Sequence, residues 1–253
     1  MVVEYLIKPR WVIENPAFAF VLGICFAFIG TSIGWFIFPE TASLAGLLFI
    51  TIAATPFLEK VINTVDAETF WARNGKIAAI YGLFFLGVVA CYAIWYFILP
   101  PQAITLFFDK QIAILQTPVS SIIGFFSRAD FNLISVISNN LRLVVFAIVL
   151  SFIYGVGATI LITWNASVLG IFLASLGKFT TMLSFAPHAS LEFTAYFFAA
   201  IAGGLLSVAV NEDKTKFRSD RFYRIINDAS MLFILSVLII VAAGFIEVYA
   251  FMA

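Results

Sequence analysis

Long uncharged apolar runs set the rhythm of this chain. Residues 17–38, 42–58, 77–99, 143–164, 193–210 and 229–246 contain no Asp, Glu, Lys or Arg. A helix needs about 20 mostly apolar residues to cross a hydrocarbon core, and each run comes close to that length. Residues 167–185 are apolar too, but Lys178 and several Gly, Ser and Thr interrupt them. They are read as a seventh, broken or short span. The runs are continuous rather than alternating, so the strands of a membrane barrel fit poorly. A helix satisfies its own backbone in a solvent that offers no partner. The expectation is an all-α, polytopic membrane helical bundle of about seven transmembrane helices.

Composition makes this reading hard to avoid. Hydrophobic residues are 63% of the 253, Phe alone supplies 30, and only 11% are charged. Ordinary soluble domains carry roughly 25% charge. A soluble fold of this size leaves too much surface wet to hide such a composition. The formal net charge is +0, with 14 Lys+Arg against 14 Asp+Glu, so no basic excess points to nucleic acid. Cys25 and Cys91 lie inside apolar runs and read as small hydrophobes rather than a disulfide. Lys8 and Arg10 precede the first run, but no small-residue cleavage site follows it. That run is expected to stay as an anchor.

The cations orient the spans. With seven crossings, Lys8, Arg10, Lys60, Arg73, Lys76, Lys214, Lys216, Arg218, Arg221 and Arg224 all fall on one side. That side becomes the cytoplasm of a cell-membrane protein, with the N-terminus cytoplasmic and the C-terminus extracellular. Residues 1–99 form an N-terminal three-span region and 100–253 a second membrane region. The second opens with the loop 100–141, whose apolar content suggests short interfacial helices on the outer side. Small residues recur at helix-packing spacing: Gly30 and Gly34 in the first span, and Ala199, Gly203 and Ser207 in the sixth. Such stripes serve packing within the chain, or a face for self-association.

Polar groups at membrane depth are the candidate site. They are Asn139, Asn140 and Arg142 opening the fourth span, His188 and Glu192 opening the sixth, and Glu247 ending the seventh. Glu192 to Asn211 and Asp228 to Glu247 each measure about 28 Å at helical rise, which places these groups together at the outer boundary. Pro187 suits a first helical turn. His188 and Glu192 then share a face, and Glu192 sits near the positive end of the helix dipole. Three readings stay open. Arg142 neutralises Glu192 or Glu247 in a structural cluster; the same residues bind a ligand, ion or proton; or they serve a metal-dependent reaction. His188 is the chain's one histidine, and H-E-x-x-H, P-loop and G-x-S-x-G patterns are missing from the sequence. No catalytic residue, metal or cofactor is therefore expected. Lys178 reads as a snorkelling side chain or a partner of this cluster.

The motifs come in a telling order: Asn139-Asn140-Leu141-Arg142, then Trp164-Asn165 with Leu169-Gly170, then Pro187-His188 with Glu192, then Ile246-Glu247. This order resembles the stage II sporulation protein M family of integral membrane proteins, over roughly residues 100–253. The first hundred residues look like the form with extra N-terminal spans found in archaeal members. The chain departs from the family pattern at Ala166, where Gly is usual, and at Ala189 and Ser190, which delay the Glu by one step. The resemblance implies a membrane scaffold, since members in spore-formers work with peptidoglycan-degrading enzymes during engulfment. The leading expectation is a non-enzymatic organiser of membrane partners, lipid-embedded, homodimeric, and in contact with other membrane or extracytoplasmic proteins. The second is a small-ion or solute transporter or channel using the same cluster.

Overall fold

The computed structural model describes residues 8–116, 133–151, 155–175, 179–211 and 220–252, without the side chains of 114–116, 135, 179–189, 211, 247 and 249–252. Within them the chain is helical. A short α1 (Pro9–Glu14) leads into α2 (Ala17–Ile37). A single 3-10 turn at Pro39–Thr41 precedes α3 (Ala42–Thr64). Then come α4 (Phe70–Ile98) and the short α5 (Pro101–Phe107) and α6 (Asp109–Gln116). The remaining helices are α7 (Leu133–Ser151), α8 (Val156–Ser175), α9 (Phe179–Asn211) and α10 (Asp220–Met252). Among the described residues, six helices are long and apolar enough to cross a membrane, and Val136–Ser151 in α7 is a shorter apolar one. The protein is a polytopic helical bundle.

Side-chain pairs fix the direction of each helix. Arg221 reaches Asn63, and Arg73 binds Asp228, so the end of α3 and the starts of α4 and α10 share one end of the bundle. Lys60 and Arg224 also lie there, and it is called the basic end below. Thr55 donates to Thr159 at 2.9 Å and Thr51 meets Thr163 at 3.2 Å, so α8 runs antiparallel to α3 and away from the basic end. The contacts of Asn140 with Glu192 and of Gly203 with Ser151 make α7 and α9 parallel, both running toward it. Helices α7 and α8 thus form a hairpin that starts and finishes at the far end.

Two spans differ from the sequence expectation. Residues 143–164 are not one helix, because the chain breaks between α7 and α8. Gly155 holds φ at 67°, and its N–H donates to the Ser151 carbonyl at 2.9 Å. A Cβ there would stand 2.8 Å from Glu59 Oε1, so both the backbone angle and the neighbour demand glycine. Residues 167–185 are likewise split between the end of α8 and the start of α9, and Lys178 lies outside the described residues. Helix α3 also runs past the expected end at residue 58. Pro56 sits inside it, tolerated as in other packed membrane helices. In the 100–141 loop, α5 and α6 are the short helices expected, but α6 bites into the bundle. Gln111 is fully buried, accepting from Ser43 at 3.0 Å and donating to Ser167 at 3.2 Å.

Helix α8 is the hub. Of its apolar window 72% is buried, against 33% for α2 and α10, which therefore line the outside. The small-residue stripes are spent within the chain. Cβ atoms on Gly30 or Gly34 would meet Ile50, Ala42 and Gly46 of α3, and Gly203 lies against Ser151 of α7. The tightest approach is one that the sequence did not single out. Gly23 of α2 and Gly87 of α4 face each other, and a Cβ on either would collide with a carbonyl oxygen of the other helix, Phe84 or Phe20.

That collision sets an expectation. Gly87→Leu should lower stability by about 1–3 kcal/mol through overpacking. Gly82→Leu, on the same helix with open space around its Cβ position, should stay within about 0.5 kcal/mol. Thermal unfolding of the two variants in one detergent compares them directly; equal midpoints would remove the close α2–α4 contact.

Candidate functional site

Several polar groups inside the bundle occur in bonded sets that tie one helix to another. The set nearest the sequence expectation joins α7 to α9. Asn140 projects from α7; Glu192 and Tyr196 project from α9, one turn apart and so on one face. Asn140 Nδ2 donates to Glu192 Oε1 at 2.8 Å. Tyr196 Oη donates to Asn140 Oδ1 at 2.7 Å. All three are buried, at 6%, 3% and 3% exposure. The amide uses both its ends, which fixes its orientation and turns three side chains into one chain of hydrogen bonds.

The depth of this set differs from the rise arithmetic. Phe193 packs against Phe85 of α4, with ring centroids 5.4 Å apart and the rings tilted at 59°. Phe85 is about 18 Å along α4 from Arg73 and about 20 Å from Ile98. Glu192 therefore lies near the middle of the bundle's length rather than at its outer edge. The reason is the length of α9. It begins at Phe179, so Pro187 is internal to the helix and Glu192 is far from any helix start.

Of the other expected site residues, Asn139 is half-buried on α7. Arg142 is exposed and, among the described residues, makes no ion pair. Two residues on from Asn140 is about 200° around a helix, so Arg142 points away from the carboxylate it was expected to neutralise. The Asn140 amide, itself held by the Tyr196 phenol, bonds Glu192 instead. His188 and Glu247 belong to α9 and α10, but their side chains lie outside the described residues. Asn165, from the Trp164-Asn165 motif, is buried and donates to the Leu161 carbonyl at 2.7 Å. With Tyr196 it borders a cavity of only about 10 Å³, walled by Phe85, Leu161, Phe193 and Phe197. Motif residues from α7, α8 and α9 thus gather around one spot.

Three further polar sets escaped sequence reasoning. Thr51, Thr55, Thr159 and Thr163 form the rungs between α3 and α8, and Ser43–Gln111–Ser167 closes their far end. The signal was present as four-residue spacing: 51, 55 and 59 on one helix, 159, 163 and 167 on the other. Ser207 donates to Glu59 Oε1 at 2.6 Å beside the α7–α8 turn. At the basic end, Arg73 Nε and Asn74 Nδ2 donate to Asp228 Oδ2 at 2.7 and 3.0 Å, while Arg73 Nη1 donates to the Ala67 carbonyl. That buried pair adjoins a cavity of about 130 Å³ where Arg221, Arg224 and Asp66 also lie. Among the described residues no group of three or more His, Cys, Asp or Glu could hold a metal ion.

Comparison with known proteins adds one result. The model of the family described as stage II sporulation protein M matches residues 17–250. No curated protein and no solved structure matches the chain.

Asn140→Ala should destabilise the protein by about 1–3 kcal/mol, because it leaves a buried carboxylate and a buried phenol short of a partner. Arg142→Ala, exposed and unpaired, should change stability in detergent by no more than about 0.5 kcal/mol. Denaturation of the two variants side by side checks the ordering. The reverse ordering would mean that Arg142, not Asn140, compensates Glu192.

Proposed function

For a chain that belongs to the stage II sporulation protein M family and is an integral membrane protein, we propose a non-enzymatic scaffold that organises partners in the cell membrane. The observation that carries this is how the buried polar groups are used. Asn140 with Glu192 and Tyr196, the threonine rungs, and Arg73 with Asp228 each link one helix to another. Beside Asn165 and Tyr196 the cavity of about 10 Å³ is at the lower limit for a single water. Polar groups spent on joining helices make a rigid frame, and a frame presenting fixed surfaces suits a scaffold. The family's membrane-scaffold members point the same way.

The orientation belongs to the same reading. The basic end carries Lys60, Arg73, Lys76, Arg221 and Arg224, and by the positive-inside tendency it faces the cytoplasm. The N-terminus is then cytoplasmic and the C-terminus extracellular. The partners are a second copy and other membrane or extracytoplasmic proteins. Because the glycine stripes are consumed within the chain, the homodimer rests on the outward apolar faces of α2 and α10, with Phe36, Ile234 and Leu238 exposed.

The second reading, a small-ion or solute transporter, draws on Glu192, a carboxylate at mid-depth. Protein in sealed vesicles separates the two. The scaffold reading expects a detergent-corrected mass of two 27.9 kDa chains and a proton flux equal to that of empty vesicles. A flux that Glu192→Gln abolishes would replace the scaffold with the transporter.

Topology has its own test. In a background with Cys25→Ala and Cys91→Ala, Tyr223→Cys should react with a membrane-impermeant thiol reagent only from the cytoplasmic side. Gln102→Cys should react only from outside. Reaction of both from one side would contradict the assigned directions of α4 and α10.

A further inference from the structure

Two exposed arginines near the start of α10 border a cavity that the links between helices leave open. It measures about 130 Å³ and lies at the basic end, among the end of α3, the start of α4, the end of α9 and the start of α10. Its polar lining is Asn63, Asp66, Arg73, Arg221, Arg224 and Asp228. One water needs about 10–15 Å³ of such space, so a group of a few heavy atoms fits.

The charges around it do not cancel. Arg73 is committed: its Nε donates to Asp228 Oδ2 at 2.7 Å, its Nη1 donates to the Ala67 carbonyl, and its Nη2 also pairs with Asp228. That pair, at 10% and 3% side-chain exposure, forms a neutral inner wall. Arg221 and Arg224 are three residues apart on α10, hence on one face, and both are exposed. Arg224 stands 3.9 Å from Asp66 Oδ1, beyond hydrogen-bond length. Asp66 is 83% exposed, so water screens the attraction. Arg221 Nη2 reaches Asn63 Oδ1 at 3.3 Å, a long contact to a neutral oxygen. With the inner pair closed on itself, two guanidiniums of the lining face one solvated carboxylate.

The depth suits an anion. Arg73 is about 18 Å along α4 from Phe85 at mid-bundle, and half a hydrocarbon core is about 15 Å. Trp71 and Tyr223, exposed at 62% and 58% on the same two helices, mark the same level, since such side chains gather at the headgroup boundary. The cavity therefore opens among headgroups and water rather than in hydrocarbon.

We propose that this cavity binds a phosphate group, held by Arg221 and Arg224. A guanidinium fork meets two oxygens at once. A phosphate monoester keeps three acceptor oxygens and can serve both forks, whereas a carboxylate is used up by one. The group is the headgroup of a lipid in the basic-end leaflet or a soluble phosphate, and the chemistry of the site is the same for both. This site is separate from the Asn140–Glu192–Tyr196 set and does not depend on the scaffold reading.

The test uses the full chain in a nonionic detergent. Native mass spectrometry reads phosphatidic acid against a chain-matched diacylglycerol, and equilibrium dialysis reads radiolabelled inorganic phosphate. Retention of phosphatidic acid about tenfold above diacylglycerol, not displaced by excess inorganic phosphate, assigns the site to a lipid headgroup. Saturable binding of inorganic phosphate assigns it to a soluble ion. In either case Arg221→Gln and Arg224→Gln should each cut binding about tenfold. Lys76→Gln, which removes an exposed cation of the same end outside the cavity, should leave it unchanged. Asp66→Asn removes the competing carboxylate and should raise binding about threefold. Such a gain cannot come from unfolding, so it decides the matter if the arginine variants do not fold, and its absence then counts against the site. Wild-type binding in both glutamine variants, a loss in Lys76→Gln as large as in Arg224→Gln, or no binding of either phosphate probe would overturn the proposal.

Discussion

Hydrocarbon gives a polar side chain nothing to bond, so a polar group carried into the bundle is stabilised by a partner found there. The α3–α8 contact shows what this constraint builds. Thr51, Thr55, Thr159 and Thr163 meet across the two helices, and Gln111 bridges Ser43 to Ser167 at the far end. Threonine hydroxyls can also bond their own helix, as Thr55 does to the Thr51 carbonyl at 2.7 Å. Its single proton is shared between that carbonyl and Thr159 Oγ1. Because α8 also packs on α4, these rungs tie the first three spans to the last three. The larger apolar cluster follows, running from Val12 to Leu232, and a smaller one forms where α7 meets α9 and α10.

The remaining polar links repeat the principle with stronger groups. Asn140 connects α7 to α9 through a carboxylate and a phenol, and Asp228 connects α10 to α4 through a guanidinium and an amide. Glycines do the complementary work where no polar group is used. At Gly23 and Gly87 the absence of side chains lets two backbones touch, which gains dispersion contacts where lipid supplies no hydrophobic drive. Polar links set which helices are neighbours, and glycine contacts set how close they come.

The outer features of this architecture were legible in the sequence. Runs of uncharged residues located α2, α3 and α4 and the membrane parts of α9 and α10, since length and apolarity suffice for that. The α7–α8 boundary was not legible, because a helix buried all round and a hairpin of two helices have the same unbroken apolar sequence. Only Gly155, within Gly-Val-Gly, marked the break. The candidate site was half legible. Asn140 and Glu192 could be chosen as polar groups at depth, and Tyr196 was readable one turn beyond Glu192. Arg142 drew attention by charge, and helical periodicity, applied one step further, would have turned it away from Glu192. The Thr rungs were passed over because hydroxyls look bland in composition, although their four-residue spacing was in plain view.

The hairpin of α7 and α8 also bears on how the chain is made. Helix α7 is the shorter apolar element, with only Val136–Ser151 apolar, and it carries Asn139, Asn140 and Arg142. When it leaves the ribosome, Glu192 is still some fifty residues from being synthesised, so Asn140 has no partner to meet. Inserted singly, α7 would expose two amides and a cation to lipid. The turn at Gly155 offers a route in which α8, apolar and long, draws α7 in beside it as one unit. The polar contact with α9 is closed afterwards. The order of translation then places the weakest span between two strong ones, and the last helices to arrive lock the one that could not have stood by itself.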